Sequence, residues 1–127
     1  MEILLDTHAL IWWFESSGAL SKRASSIIAD RENLILVSAV VGWELAIKVN
    51  LGKFNTLSLV QNLHHSLNRE GFGELPISLK DAVRAGLLPL HHRDPFDRLL
   101  VAQAQGLGAP ILSADRTLDA YDVRRIW

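Results

Sequence analysis

Asp94-Pro95-Phe96-Asp97-Arg98-Leu99-Leu100-Val101-Ala102-Gln103-Ala104-Gln105-Gly106-Leu107-Gly108-Ala109-Pro110-Ile111-Leu112-Ser113-Ala114-Asp115 describes a helix that leads into a strand, with acids at both ends. Asp94 is a good N-cap, and Pro95 suits the first helical position, where a missing N–H costs nothing. The pattern predicts a helix over 95–106. The Gly106-to-Pro110 connection ends it, and Pro110-Ile111-Leu112-Ser113 reads as a short strand.

The same alternation runs through the rest of the chain. Strands are predicted at Ile3-Leu4-Leu5, Leu34-Ile35-Leu36-Val37 and Val123 to Ile126, with a weaker one at Leu75-Pro76-Ile77. Helices are predicted at about 9–15, 21–31, 39–50, 57–70 and 79–88, with a short turn near 116–120. Alternating strands and helices argue for a parallel sheet covered on both faces. The first two strands are apolar almost throughout, as strands buried on both sides should be.

The chain has 127 residues, enough for one domain spanning 1–127, and shows no repeat or interdomain linker. Hydrophobic residues make up 49% and charged residues 21%, ordinary values for a globular domain. There is no cysteine, which removes disulfides and thiolate metal sites and suits a reducing cytoplasm. A net charge of −1 gives no general attraction to a polyanion, so nucleic acid would have to be held by local basic groups or by metal. Glu2 and Asp6 argue against a signal peptide. No uncharged apolar run reaches the roughly 18 residues of a membrane span.

Four acids fall at telling places. Asp6 follows the first strand, Glu44 lies in the helix after the second, Asp97 opens the helix at 95–106, and Asp115 follows the fourth strand. Open parallel sheets bind ligands at the carboxyl ends of their strands, so these acids can converge. Each also has a plain structural reading. Asp6 or Thr7 can cap a helix, and so can Asp115, while Asp97 can favour a helix dipole. Because Asp94 already serves the cap, the chemistry falls to Asp97. Glu44 sits among Val40, Val41, Leu45 and Ile47, where an unpaired carboxylate is costly; Lys48 at i+4 is its local partner.

Four acids with no sulfur ligand form an oxygen-only site suited to Mg²⁺ or Mn²⁺. Such a site can activate a water against a phosphodiester. Arg93, Arg98 and Arg116 flank the acids and are candidate phosphate contacts; a solvated surface charge is the alternative for each. His8 is close enough to Asp6 in sequence for its ring to approach the site, and His91 and His92 could bind metal. Adjacency in a loop is unremarkable, however, and an ordinary histidine is the reading for all three. Leu10-Ile11-Trp12-Trp13-Phe14 goes right round a helix axis. One of its large side chains should therefore lie under a second element or in an exposed patch that takes a protein partner.

Leu4-Leu5-Asp6-Thr7-His8-Ala9-Leu10, Ser38 to Glu44, Asp94 to Ala104 and Ile111-Leu112-Ser113-Ala114-Asp115 resemble, in order, the motifs of PIN-domain ribonucleases, especially VapC-type toxins. The resemblance spans essentially the whole chain. It implies a three-layer α/β/α fold with a central, mostly parallel sheet. It also implies metal-dependent endonucleolytic cleavage of RNA by the quartet Asp6, Glu44, Asp97 and Asp115. Within the quartet, Asp6, Asp97 and Asp115 would hold Mg²⁺ or Mn²⁺, with Ser113 as a small hydroxyl near the site. A cognate antitoxin, a homodimer and a cytoplasmic location follow from the same resemblance. Asp94 is an extra acid beside Asp97 that this pattern does not require.

Two rivals lack their residues. A receiver domain needs an acid pair after the first strand, an aspartate after the middle one and a late lysine. A haloacid-dehalogenase-like phosphatase needs a second aspartate where His8 stands. A non-catalytic interaction domain, with acids that only cap helices, is the alternative from another class.

Overall fold

The computed structural model describes residues 1–127. Five strands, β1 (Glu2–Leu5), β2 (Leu34–Ser38), β3 (Gly73–Leu75), β4 (Ile111–Leu112) and β5 (Arg125–Ile126), form one sheet in the order β3-β2-β1-β4-β5. Every pairing is parallel. Around the sheet lie α1 (Thr7–Phe14), α2 (Lys22–Ala29), α3 (Ala39–Asn50), α4 (Leu57–Gln61), α5 (Leu63–Glu70), α6 (Leu79–Leu87) and α7 (Pro95–Leu107). A 3₁₀ turn, Arg116–Ala120, joins β4 to β5.

The central strand is the most apolar. Ile3, Leu4 and Leu5 of β1 are wholly buried, with Leu4 opposite Leu36 on one side and Ile111 on the other. From β1 the chain builds outward through β2 and β3. It then crosses by α6 and α7 to build β4 and β5 on the opposite side. The direction of winding therefore reverses between β1 and β4, where a crevice opens at the strands' carboxyl ends.

Three boundaries differ from the sequence reading, each for a local reason. The helix expected over 57–70 is two helices, because Asn62 leaves helical geometry and its Nδ2 donates to the Ser58 carbonyl at 2.9 Å. The strand expected at 75–77 is Gly73–Leu75, since Pro76 has no N–H for the ladder. Gly73 allows the close approach of β3 to β2: a Cβ there would stand 2.9 Å from Leu36 Cδ2. Helix α1 begins at Thr7 because Asp6 caps it.

The aromatic run on α1 is covered by the chain itself. Trp12 packs on Trp127 with ring centroids 5.7 Å apart, and Trp13 and Phe14 pack on Phe72 at 6.3 and 6.4 Å. An exposed patch at 10–14 is thus absent: the elements that bury the run are β5's end and the residue before β3. The exposed apolar stripe lies instead on α6, where Leu79, Val83 and Leu87 follow one another at four-residue spacing. No helix is long and apolar enough to cross a membrane.

A buried amide locks α7 to the sheet. Gln103, 1% exposed, receives the Ser38 hydroxyl proton at 2.5 Å and donates Nε2–H to the Pro76 carbonyl at 3.1 Å. One side chain thereby ties α7 to the ends of β2 and β3. Gln103→Leu keeps much of the volume but breaks both bonds, and should cost about 1–3 kcal/mol. Urea unfolding checks this; an unchanged midpoint would mean the amide holds nothing.

Candidate functional site

Asp6 stands where β1 ends, beside the crevice. Its Oδ1 accepts the Ala9 N–H at 2.8 Å, capping α1, and its Oδ2 accepts the Ser113 hydroxyl at 2.5 Å. Burial pushes its pKa up, and the bonds from Ser113 and Ala9 offset this only in part. Ser113 is fully buried after β4, and its Oγ also accepts the Asp115 N–H at 3.0 Å. The ends of β1 and β4 are thus joined through one hydroxyl.

Asp115 accepts the Thr117 N–H and hydroxyl at 3.0 and 2.7 Å, which caps the 3₁₀ turn. Its partial burial acts to raise the pKa, but the Thr117 bonds and His92 together hold the carboxyl below its ordinary range. Asp97 is the third residue of α7, after the Asp94 cap and Pro95, so the helix start carries it to the same crevice. Burial, then the neighbouring charge of Asp94, and lesser repulsion from Glu44 and Asp115, push its pKa up to about 7 against the attraction of His92.

Glu44 is buried on α3, 7% exposed. The ion pair expected with Lys48 is present at 3.7 Å, and Thr7 supplies a second partner by donating its hydroxyl at 2.6 Å. Thr7 was legible only as a possible cap. It directly follows Asp6, so the first helix delivers a carboxylate and the hydroxyl that steadies another.

His92 is the residue the sequence reading passed over. Its Nε2 lies 3.2 Å from Asp97 Oδ2 and 3.6 Å from Asp115 Oδ2. One ligand atom from each of the three residues lies within 4.8 Å of the others. The signal was its place two residues before the Asp94 cap, where a fixed helix start constrains the preceding loop. Asp94 itself accepts the Phe96 N–H at 2.9 Å and serves as the cap.

The arginines divide. Arg93 and Arg116 are exposed beside the acids. Arg98 is turned inward, donating to the carbonyls of Ala85, Leu88 and Pro89 at 3.0, 3.1 and 3.0 Å. Its guanidinium shapes the turn between α6 and α7. Trp43, next to Glu44, is exposed at the rim, with Phe96 edge-on at 5.2 Å. The largest concavity, about 840 Å³, is lined by Met1, Glu2, Pro110 and Arg124 at the strands' opposite ends and holds none of the four acids.

This donor set fits a hard divalent cation. It is carboxylate oxygen without sulfur, half-buried, and the raised pKa values of Asp6 and Asp97 record negative charge short of compensation. A doubly wound parallel sheet with an acidic crevice at its winding reversal is the class that fold and site define. The chain belongs to the PIN domain family, whose model matches residues 3–124. It is similar in structure to VapBC2 of Rickettsia felis bound to a promoter DNA fragment, at 17% identity and TM-score 0.73, covering 99% of this chain and 98% of that one. A toxin–antitoxin complex from Klebsiella pneumoniae (18%, 0.66) and FitAcB from Neisseria gonorrhoeae (19%, 0.66) are also similar, each match covering 98% of this chain and 96% of the other. At such identities these likenesses show the fold. No curated protein matches the sequence.

The raised Asp97 pKa has a measurable consequence. The folded state keeps a proton there up to about pH 7, whereas the unfolded chain releases it near 3.8. The stability it contributes is full below about pH 4 and is lost as pH rises through about 7. Asp97→Asn removes that loss. In chelator, the variant should match wild type near pH 4 and exceed it at pH 8, by at most roughly 4 kcal/mol. A gap that does not grow between those pH values, measured by denaturant unfolding, would contradict the burial argument.

Proposed function

We propose that this protein is a Mg²⁺- or Mn²⁺-dependent endoribonuclease, the toxin of a toxin–antitoxin pair acting in the cytoplasm. The observation that supports the reading is that ligand atoms of Asp97, Asp115 and His92 lie within 4.8 Å of one another, with Asp6 tied to the Asp115 backbone through Ser113. Asp6, Asp97 and Asp115 would hold the cation, and Glu44 completes the quartet. A bound divalent ion supplies charge neutralisation and water activation for in-line attack on a phosphodiester.

The chain's own groups then have distinct tasks. Ser113 fixes one oxygen of Asp6 and the backbone of Asp115 together. Thr7 and Lys48 orient Glu44, which in this reading serves as a proton acceptor. Arg93 and Arg116, exposed at the rim, are the phosphate contacts in this reading; Arg98 is assigned to shape the turn that precedes α7. Relatives of like fold are described as toxin–antitoxin complexes, which supports an antitoxin partner here. The apolar stripe of α6 is the surface that supports a protein contact, with the antitoxin or with a second copy in a homodimer.

Asp6→Asn and Asp97→Asn should each lower metal-dependent RNA cleavage by at least about 100-fold, and Ser113→Ala by roughly 10–100-fold, because it acts on a ligand rather than as one. Circular dichroism should show all three folded. Wild-type cleavage by either purified aspartate variant, with contaminating nuclease excluded, would remove that residue from the site. No metal-dependent cleavage by the wild type would leave the non-catalytic interaction domain as the better reading.

The cation should also stabilise the folded chain by mass action. The thermal midpoint should rise with Mn²⁺ in wild type and hardly at all in Asp97→Asn. Equal rises in the two proteins would place the ion elsewhere.

A further inference from the structure

The quartet leaves one side chain of the crevice without a task. His92 Nδ1 accepts the Asp94 N–H at 3.1 Å. A ring nitrogen that accepts carries no proton, so in the neutral ring the proton sits on Nε2. That N–H faces Asp97 Oδ2 and Asp115 Oδ2 at 3.2 and 3.6 Å. The ring's position is set from behind as well. Tyr121 Oη accepts the His92 backbone N–H at 2.9 Å and donates to the Pro89 carbonyl at 3.0 Å, while Arg98 binds the carbonyls of Leu88 and Pro89.

By spacing alone, His92, Asp97 and Asp115 would pass for three ligands of one ion. The hydrogen bonds say otherwise. A metal ligand must present a lone pair, and Nε2 presents a proton. Moving that proton to Nδ1 would set two N–H groups against each other and forfeit the bond from Asp94. The geometry points to His92 as a positioning residue that competes with the cation: its Nε2–H stands between Asp97 Oδ2 and Asp115 Oδ2, at 3.2 and 3.6 Å, and is displaced by an ion that takes both of those oxygens. This inference rests on the metal reading above.

The bridge has two opposed effects. It holds two like-charged carboxylates together in the free protein, so the site is formed in advance. It also makes the entering ion displace a polar N–H from the two carboxylate oxygens, which lowers affinity.

Chelator-stripped full-length protein, titrated with Mn²⁺ by calorimetry and followed by thermal midpoint in chelator, tests this. His92→Ala and His92→Phe remove the donor, the second while keeping a ring. Both should bind Mn²⁺ tighter, on the order of ten-fold, and both should melt lower without metal. His92→Gln, which retains an N–H donor, should bind near the wild-type value. Should His92→Ala not fold, His92→Phe decides. Equal or weaker Mn²⁺ affinity in the donor-less variants overturns the competition, as does His92→Gln binding as tightly as they do. If neither wild type nor these variants bind Mn²⁺, the metal reading fails and the inference falls with it.

Discussion

Like charges held close together are the constraint on which this structure depends. Asp6 and Asp97 each feel the charge of Asp115, and burial removes the water that would screen it. Nearly every polar contact nearby answers that cost. Ser113 and the Ala9 amide neutralise part of Asp6, the Thr117 hydroxyl and amide part of Asp115, Thr7 and Lys48 part of Glu44. Asp97 receives the least, with only His92 facing it, and it is the carboxyl whose pKa rises to about 7.

The scaffold meets this demand with economy of position. A strand end, a helix start and a turn each supply an acid that is also, or sits beside, a cap. Asp6 caps α1 and faces the crevice, and Asp115 caps the 3₁₀ turn and does the same. For these two, serving as a cap therefore does not exclude a place in the proposed site. Only at α7 are the tasks divided, Asp94 taking the cap and Asp97 the crevice.

Much of this was legible in the chain. Apolar strands in alternation with helices specified the parallel sheet, because period and burial follow from residue type. The acids were visible by their places at element ends. What escaped depended on three-dimensional partners that leave no periodic mark. Asn62 bonding to Ser58 divides one expected helix, and Gly73 pairs with Leu36, whose side chain leaves little room for a Cβ there. The sequence left two outcomes open for the α1 aromatics and did not say which elements would cover them; Phe72 and Trp127, distant in sequence, do. His92 escaped for the same reason: its neighbours Asp97 and Asp115 are reached through a helix start and a strand end.

The sheet's two outer strands are very short. β3 has three residues and is stopped by Pro76, and β5 has two, with Arg125 committed to Asp119 and the Ser113 carbonyl. Hardly any unpaired backbone is left in extended form for another chain to zip onto. Recognition by strand addition, which needs a run of free amides and carbonyls, is closed to this molecule. It is protected from edge-to-edge aggregation by the same shortness, and a partner that docks on it meets side chains rather than open strand backbone.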